Sequence, residues 1–232
     1  NMNEVEFTIL MPCLNEEKTV GYCIREAKSA IRHYGISAEI LIADNGSSDA
    51  SKEIAKKNGA RVIEVQKKGY GNAVIGGIRA AKGRYIIMGD CDKSYDFKEI
   101  GRFIRPLRSG KQLVMGSRFA GGIEPGAMPL SHRYFGVPLL SFLGRLRYRT
   151  KVQDFHCGLR GFEKEAALAL GLSCGGMEFA TEMIGKFAGA GAKIAQVPVS
   201  LRKDGRQGHS HLRTIPDGMR HLRYLCRNIP LM

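Results

Sequence analysis

Residues 85–92 read Tyr85-Ile86-Ile87-Met88-Gly89-Asp90-Cys91-Asp92. Four apolar, β-type residues run into a glycine, and two aspartates one residue apart follow it. A short continuous apolar run of this kind fits a strand buried on both faces. The same unit recurs on either side: residues 7–11, 40–43, 62–65 and 113–115 are equally short and rich in Ile, Val and Leu. Between these runs, residues 16–33, 49–58, 72–82 and 97–108 carry apolar side chains at helical spacing with polar outer faces. Strand and helix in alternation predict an α/β fold with a Rossmann-like, mostly parallel central sheet flanked by helices, its crossovers right-handed. Ligands in such sheets bind beyond the carboxyl ends of the strands, and the distinctive residues fall in those loops.

The second half loses this rhythm. Residues 119–130 form a Gly/Pro-rich loop, 131–148 read as one or two helices, and 152–162 as a loop leading into a short strand. Helical spacing returns at 164–170 and 178–188, residues 194–201 read as a strand interrupted by Pro198, and 214–227 as a basic helix. With 232 residues, no internal repeat and no clear linker, the chain is expected to be a single domain, 1–232.

The loop after the first strand is Pro12-Cys13-Leu14-Asn15-Glu16-Glu17, and the loop after the second is Asp44-Asn45-Gly46-Ser47-Ser48-Asp49. Turn and helix-cap duties explain part of each. Two acidic loops side by side at strand ends also suit hydrogen bonds to a nucleobase and ribose, as an acidic residue grips ribose hydroxyls in dinucleotide folds. The third loop, Lys67-Lys68-Gly69-Tyr70-Gly71-Asn72-Ala73, opens a helix; glycines, a helix N-terminus and two lysines favour a phosphate there. It is not a dinucleotide fingerprint, because Val74 stands where the third glycine should be, and it lacks the Lys-Ser/Thr ending of a P-loop. Asp90 and Asp92, at i and i+2 on leaving a strand, can face one cation and the diphosphate it bridges. Oxygen-only ligands suit Mg²⁺ or Mn²⁺.

Together these residues resemble the family-2 glycosyltransferases with the nucleotide-diphospho-sugar transferase (GT-A) fold, in particular the branch of dolichyl-phosphate mannose synthase and the bacterial polyprenyl-phosphate glycosyltransferases. Pro12, Asn15 and Glu16 match P-x-x-N-E, and Asp44 to Asp49 match D-D-G-S-x-D with Asn45 replacing the second acid. Gly69, Gly71 and Ala73 match G-x-G-x-A, and Asp90 and Asp92 match D-x-D. The resemblance covers nearly the whole chain and rests on the joint order of the motifs. It implies a donor half, 1–117, in which Pro12, Asn15, Glu16, Asp44, Gly46 and Ser47 hold the nucleoside, while Lys68, Gly69, Gly71 and Asn72 lie by the diphosphate or sugar. Asp90 and Asp92 would act through Mg²⁺ or Mn²⁺.

The same resemblance implies an acceptor half, 118–232. Gly116-Ser117-Arg118 looks like the branch's G-S-R element, Arg133 falls in its acceptor helix, and Arg202, Ser210 and His211 fall on its C-terminal segment. Here the usual Ser-Lys-Leu reads Ser210-His211-Leu212, and Val137 replaces a serine. Asp154 matches the acceptor-side aspartate, placing it with Asp90, Asp92 and Arg118 among the catalytic residues. For a sugar hydroxyl, Asp154 would be the natural general base. A lipid phosphate, with a second pKa near ~6, is already anionic and needs cations instead; Arg118, Arg133, Arg160 and Arg202 fit that need.

Composition narrows the partners. The formal net charge is +14, and it divides as +5 for residues 1–115 and +9 for 116–232. Such an excess calls for an anionic partner. Aromatics at 8% with no Trp, together with the acidic loops, speak against nucleic acid. Residues 134–146, followed by Arg145, Arg147, Arg149 and Lys151, suit peripheral contact with anionic headgroups. Six cysteines without a CxxC pair point to a reducing cytosol rather than zinc or disulfides. His209 and His211 read as phosphate contacts or surface residues. The expected setting is cytoplasmic, peripheral at the inner face of the membrane. Asn1 before Met2 reads as an expression scar, and the abrupt ending is compatible with truncation ahead of a membrane segment. The expected activity is metal-dependent, inverting transfer of a hexose from a nucleotide-diphospho-sugar donor, a UDP-sugar or GDP-mannose, to a polyprenyl or dolichyl phosphate. Its rival is a hydroxyl acceptor with Asp154 as base.

Overall fold

Strand β1 (Phe7–Cys13) is buried at every position, as a central strand covered on both faces must be. Strand β2 (Ala38–Asp44) pairs parallel on one side of it and β4 (Tyr85–Met88) parallel on the other. The computed structural model describes residues 4–129, 132, 136–205 and 214–227. Among these, β3 (Arg61–Glu64), β5 (Leu113–Ser117), β6 (Arg160–Glu163) and β7 (Ile194–Pro198) complete one sheet in the order β3-β2-β1-β4-β6-β5-β7. The α/β class and the mostly parallel sheet agree with the sequence reading. Because β2 and β4 lie on opposite sides of β1, the chain reverses direction there and opens a crevice at the strand ends.

Two features depart from the expected pattern. Strand β3 is not buried on both faces; its residues are partly or fully exposed because it is the edge strand and pairs only with β2. Strand β6 runs antiparallel to both β4 and β5. The connection over residues 118–159 starts where β5 ends and re-enters the sheet from that same side, which brings residues 154–160 beside the ends of β4 and β5. Pro198 ends β7, since proline cannot donate to a ladder; Leu201 then makes only isolated bridges to Tyr95 and Ile123.

Helix α1 (Val20–Tyr34) buries Val20, Cys23, Ile24, Ala27 and Ala30 along one stripe and stops at left-handed Gly35, a common helix ending. It begins four residues later than the spacing predicts. Asn15 is itself left-handed, with φ 54°, and Glu16 O accepts from both Thr19 N and Val20 N, so residues 14–19 form a turn. The helices α2 (Ser51–Lys57) and α3 (Tyr70–Ala80) follow. Helix α4 (Gly101–Arg108) continues a 3₁₀ turn over Phe97–Ile100 that Asp96 caps. After it come α5 (Arg118–Gly121), α6 (Val137–Tyr148), α7 (Lys164–Ala169), α8 (Phe179–Gly189) and α9 (Thr214–Arg227). No helix of the described residues is long and apolar enough to cross a membrane.

Helix α9 lies against α6 and α8. His221 is 5% exposed, pairs through Nδ1 with Thr181 Oγ1 at 2.8 Å, and its ring meets that of His156 edge to face at 4.4 Å. Burial drives the His221 pKa down to about 4, partly opposed by Glu178 and Asp217. Burial, then the neighbouring His221, likewise holds His156 well below the usual range. An unfolded histidine takes up its proton near pH ~6.5. Between there and about pH 4 the unfolded chain therefore binds more protons, and stability falls as pH drops. The shift corresponds to about 3 kcal/mol from His221. Denaturant titrations at pH 7 and pH 4.5 are expected to lose less stability in His221→Gln than in the parent; equal losses would contradict a neutral, buried pair.

Candidate functional site

The first two loops are knitted together by short polar side chains. Asn15 N donates to Ser47 Oγ at 2.9 Å, and Asn15 Oδ1 accepts from Ser48 N at 2.9 Å. Glu16 N donates to Ser51 Oγ at 2.8 Å. Glu17 N donates to Asp49 Oδ2, while Glu17 Oε2 accepts from Ala50 N, each at 3.1 Å. Cys91 Sγ donates to the carbonyl of Pro12, at the end of β1, at 3.3 Å, joining the first loop to the fourth. Asp44 is the last residue of β2 and fully buried. Its Oδ2 accepts from Gly46 N and Ser47 N, both at 3.0 Å, and among the described residues its Oδ1 has no partner. A buried carboxylate oxygen without a partner costs about 1–3 kcal/mol or more.

The glycine loop is fastened to this pair. Asn45 stands where the resembled motif carries a second acid, and its amide is fully used. Nδ2 donates to Val65 O and Lys67 O, both at 2.9 Å, and Oδ1 accepts from Gly69 N at 2.8 Å. A carboxylate has no proton for those two carbonyls, so this geometry requires asparagine. Lys68 Nζ donates to Asn45 O at 2.8 Å and lies over Gly46. A Cβ on Gly46 would come within 1.9 Å of that nitrogen, and the residue's φ of 93° excludes one on backbone grounds as well. On the far side of the loop, Asn72 N donates to Gly175 O at 3.2 Å, and Gly71 packs so closely that a Cβ would stand 2.0 Å from Cys174 O. Glu182 makes that contact possible: it is buried and accepts from Ser173 N at 2.9 Å and Cys174 N at 2.8 Å, fixing residues 173–174 against α3.

The fourth loop holds the paired aspartates. Asp92 is 6% exposed. Its Oδ1 accepts from Ser94 N at 2.9 Å and from Ser94 Oγ, and its main-chain oxygen accepts from Gly205 N at 2.7 Å. Asp90 Oδ1 accepts from the Tyr70 hydroxyl at 3.2 Å, while Oδ2 lies over Gly158, where a Cβ would come within 2.6 Å of it. Burial, then the Asp90 charge, pushes the Tyr70 pKa well above the usual range, keeping its proton in place. Lys93, next in the chain, is left-handed at φ 70°. Among the described residues no group of three or more His, Cys, Asp or Glu side chains converges on a metal position. Two carboxylates of hard oxygen character, with the remaining positions left to phosphate and water, are how Mg²⁺ is commonly held. These residues fit a divalent cation shared with a bound diphosphate, and do not fit a cage built by the protein alone.

Beyond the end of β5 the chemistry changes sign. Arg118 Nε donates to Asp154 Oδ2 at 2.7 Å and Arg118 Nη2 to Oδ1 at 2.8 Å, a bidentate pair. Arg118 N also donates to Oδ2 at 3.2 Å and His156 N to Oδ1 at 3.3 Å. Asp154 is fully buried. Arg160, expected among the acceptor cations, is instead 1% exposed. Its guanidinium donates to Cys157 O, Phe155 O and Ala180 O, because its backbone lies in β6 between Met88 and Met115. It shapes the 155–160 loop from inside and does not face an acceptor. Arg202 is partly exposed and paired: it donates to Glu26 Oε1 and Oε2 at 3.2 and 3.0 Å and to Tyr95 O at 2.6 Å. The acid on the buried stripe of α1 was the available signal for that partner. Arg133, Ser210 and His211 lie outside the described residues. All six cysteines are unpaired, and burial pushes the Cys23 and Cys157 thiols up to about 12.

A mostly parallel sheet whose first four strands open into the loops after Cys13, Asp44, Glu64 and Met88 is the architecture of the GT-A fold. The chain belongs to glycosyl transferase family 2, whose sequence model matches residues 8–171. It is 40% identical over 224 residues to the low-salt glycan biosynthesis hexosyltransferase Agl6 of Haloferax volcanii, covering 96% of this chain and 54% of that protein. The chain thus spans about half the length of that relative. It is 30% identical to the dolichyl-phosphate hexose transferase of the same organism, over 89% of this chain and 86% of the other. In three dimensions it is similar to glucosyl-3-phosphoglycerate synthase from Mycobacterium tuberculosis in complex with Mn²⁺, UDP and glucosyl-3-phosphoglycerate. That match has a TM-score of 0.72 at 22% identity and covers 96% of this chain and 80% of that one.

Proposed function

We propose that this glycosyltransferase moves a hexose, with inversion, from a UDP-sugar or GDP-mannose to the phosphate of a polyprenyl or dolichyl lipid at the cytoplasmic face of a membrane. The observation that carries the acceptor is the Arg118–Asp154 pair. Both oxygens of Asp154 are engaged by a buried guanidinium, so deprotonating a sugar hydroxyl there would first require breaking a buried ion pair. A phosphate acceptor brings its own charge at neutral pH and asks only to be positioned.

In this reading residues 1–117 hold the donor and 118–232 the acceptor. Asn15, Glu16, Asp44, Gly46 and Ser47 shape the nucleoside crevice beyond Pro12, and Lys68 with Gly69, Gly71 and Asn72 borders the diphosphate. Asp90 and Asp92 would hold Mg²⁺ or Mn²⁺, which supplies charge to offset the departing nucleoside diphosphate. Arg118, its geometry locked by Asp154, and Arg202, paired with Glu26, would serve the acceptor, and the family resemblance assigns Arg133, Ser210 and His211 to the same task. The Mn²⁺ and UDP in the similar synthase structure support the donor, and the dolichyl-phosphate hexose transferase supports the lipid.

The lipid face is supported by α6 and α9, which pack together. Leu139, Phe142 and Leu146 of α6 are exposed, as are Met219 and Leu222 of α9. Phe119, Pro138, Phe142 and Leu146 line a groove of about 770 Å³ with Arg145 and Lys151 also on its wall. Apolar side chains flanked by cations suit the boundary between acyl chains and anionic headgroups.

Labelled UDP-glucose and GDP-mannose, each offered in Mn²⁺ with a short polyprenyl phosphate in vesicles, test this directly. One of the two is expected to yield a chloroform-extractable, acid-labile sugar lipid. Efficient transfer to a soluble hydroxyl acceptor with none to the lipid would replace this reading with its rival.

A further inference from the structure

The aspartate loop and the glycine loop come from different strands, and Tyr70 joins them. Tyr70 is the first residue of α3, between Gly69 and Gly71. Its backbone is held by the clamp that Asn45 places on Gly69 N and by the packing of Gly71 on Cys174 O. Its hydroxyl reaches across to Asp90 Oδ1 at 3.2 Å. The opposite oxygen of that carboxylate faces Gly158, whose N–H donates to the Tyr95 hydroxyl at 2.8 Å. Asp90 thus has the Tyr70 phenol on one oxygen and Gly158 beside the other, so a shift of α3 bears directly on this carboxylate. Nothing in the motif pattern itself demands a hydroxyl at this position, since the resembled element specifies only the flanking glycines and alanine.

We propose that Tyr70 is a positioning residue that couples the glycine loop to the cation-facing carboxylate of Asp90, so that a nucleoside diphosphate and a divalent cation strengthen each other's binding through it. The inference rests on the reading of Asp90 and Asp92 as the metal carboxylates. A diphosphate drawn against Gly69 and Lys68 adds to the contacts that hold the start of α3, the phenol passes that restraint to Asp90 where a shared cation would bind, and linkage makes the effect reciprocal.

Isothermal titration of UDP and of GDP with and without Mn²⁺, and Mn²⁺ titration followed by electron paramagnetic resonance with and without the nucleotide, measure this coupling without turnover. Tyr70→Phe keeps the ring and removes only the hydroxyl. It is expected to cut the factor by which Mn²⁺ tightens nucleotide binding by about tenfold, within the usual range of such couplings, while metal-free nucleotide affinity stays within about twofold. Added to Asp90→Asn, it is expected to change nothing more, as a double-mutant cycle requires of groups acting through one contact. An unchanged coupling factor in Tyr70→Phe, or an equal loss of affinity with and without metal, overturns the inference while the donor reading stands. A parent protein that binds neither nucleotide in Mn²⁺ overturns both.

Discussion

Asp92→Ala is expected to lower glycosyl transfer by about 10³-fold or more, the scale on which removal of a preorganised charge stabiliser acts, and chelation of divalent cations by EDTA is expected to abolish it. The carboxylate is held before any ligand arrives: Ser94 fixes Oδ1 through both its amide and its hydroxyl, and Gly205 N holds the main chain behind it. That preorganisation keeps the charge aimed at one place. The variant loses local hydrogen bonds worth about 1 kcal/mol each, so its melting temperature should move by only a few degrees while turnover collapses. Steady-state transfer with and without EDTA, beside a thermal melt, separates the two. Undiminished turnover in EDTA would end the metal role of Asp90 and Asp92.

The second large effect concerns stability first. Asp154→Ala leaves the Arg118 guanidinium buried without its counter-charge, and breaking a buried pair from one side costs about 3–5 kcal/mol. Asp154→Asn keeps the shape but loses the charge and one acceptor, so it too is expected to destabilise, by a smaller amount. Activity and stability should fall together, because Arg118 is oriented by this contact at two nitrogens. Denaturant unfolding and transfer assays on the same preparations decide it. An Asp154→Asn protein of unaltered stability whose turnover has dropped by several orders of magnitude would restore the general-base role and with it the hydroxyl acceptor.

Much of this was legible before any coordinates. Apolar runs of three to five residues, each closed by a polar loop, specify strands, covered on both faces except at the sheet edge where β3 lies, and the helical spacing between them specifies what covers them. The order of loops then carries the family signature, because Asp44, Gly69, Asp90 and Asp92 stand at or just beyond an end of their own strand or helix, a local relation. The acceptor side was less legible. Arg160 reads as one more cation in a basic half, yet the antiparallel entry of β6 puts it inside the sheet layer. Asp154 reads as a base for the rival hydroxyl acceptor until Arg118, 36 residues away, is found on both of its oxygens. Tyr70 could not be distinguished from a filler between glycines.

The sequence by itself determined the class of fold and the family, since both follow from periodicity and from short motifs whose members lie within a few residues of each other. The tertiary structure alone decided which charges are left to meet a substrate. Ion pairing depends on distances across the fold, and Arg118 with Asp154, Arg202 with Glu26, Tyr70 with Asp90 and Asn45 with the glycine loop are partners that only folding brings within hydrogen-bond reach.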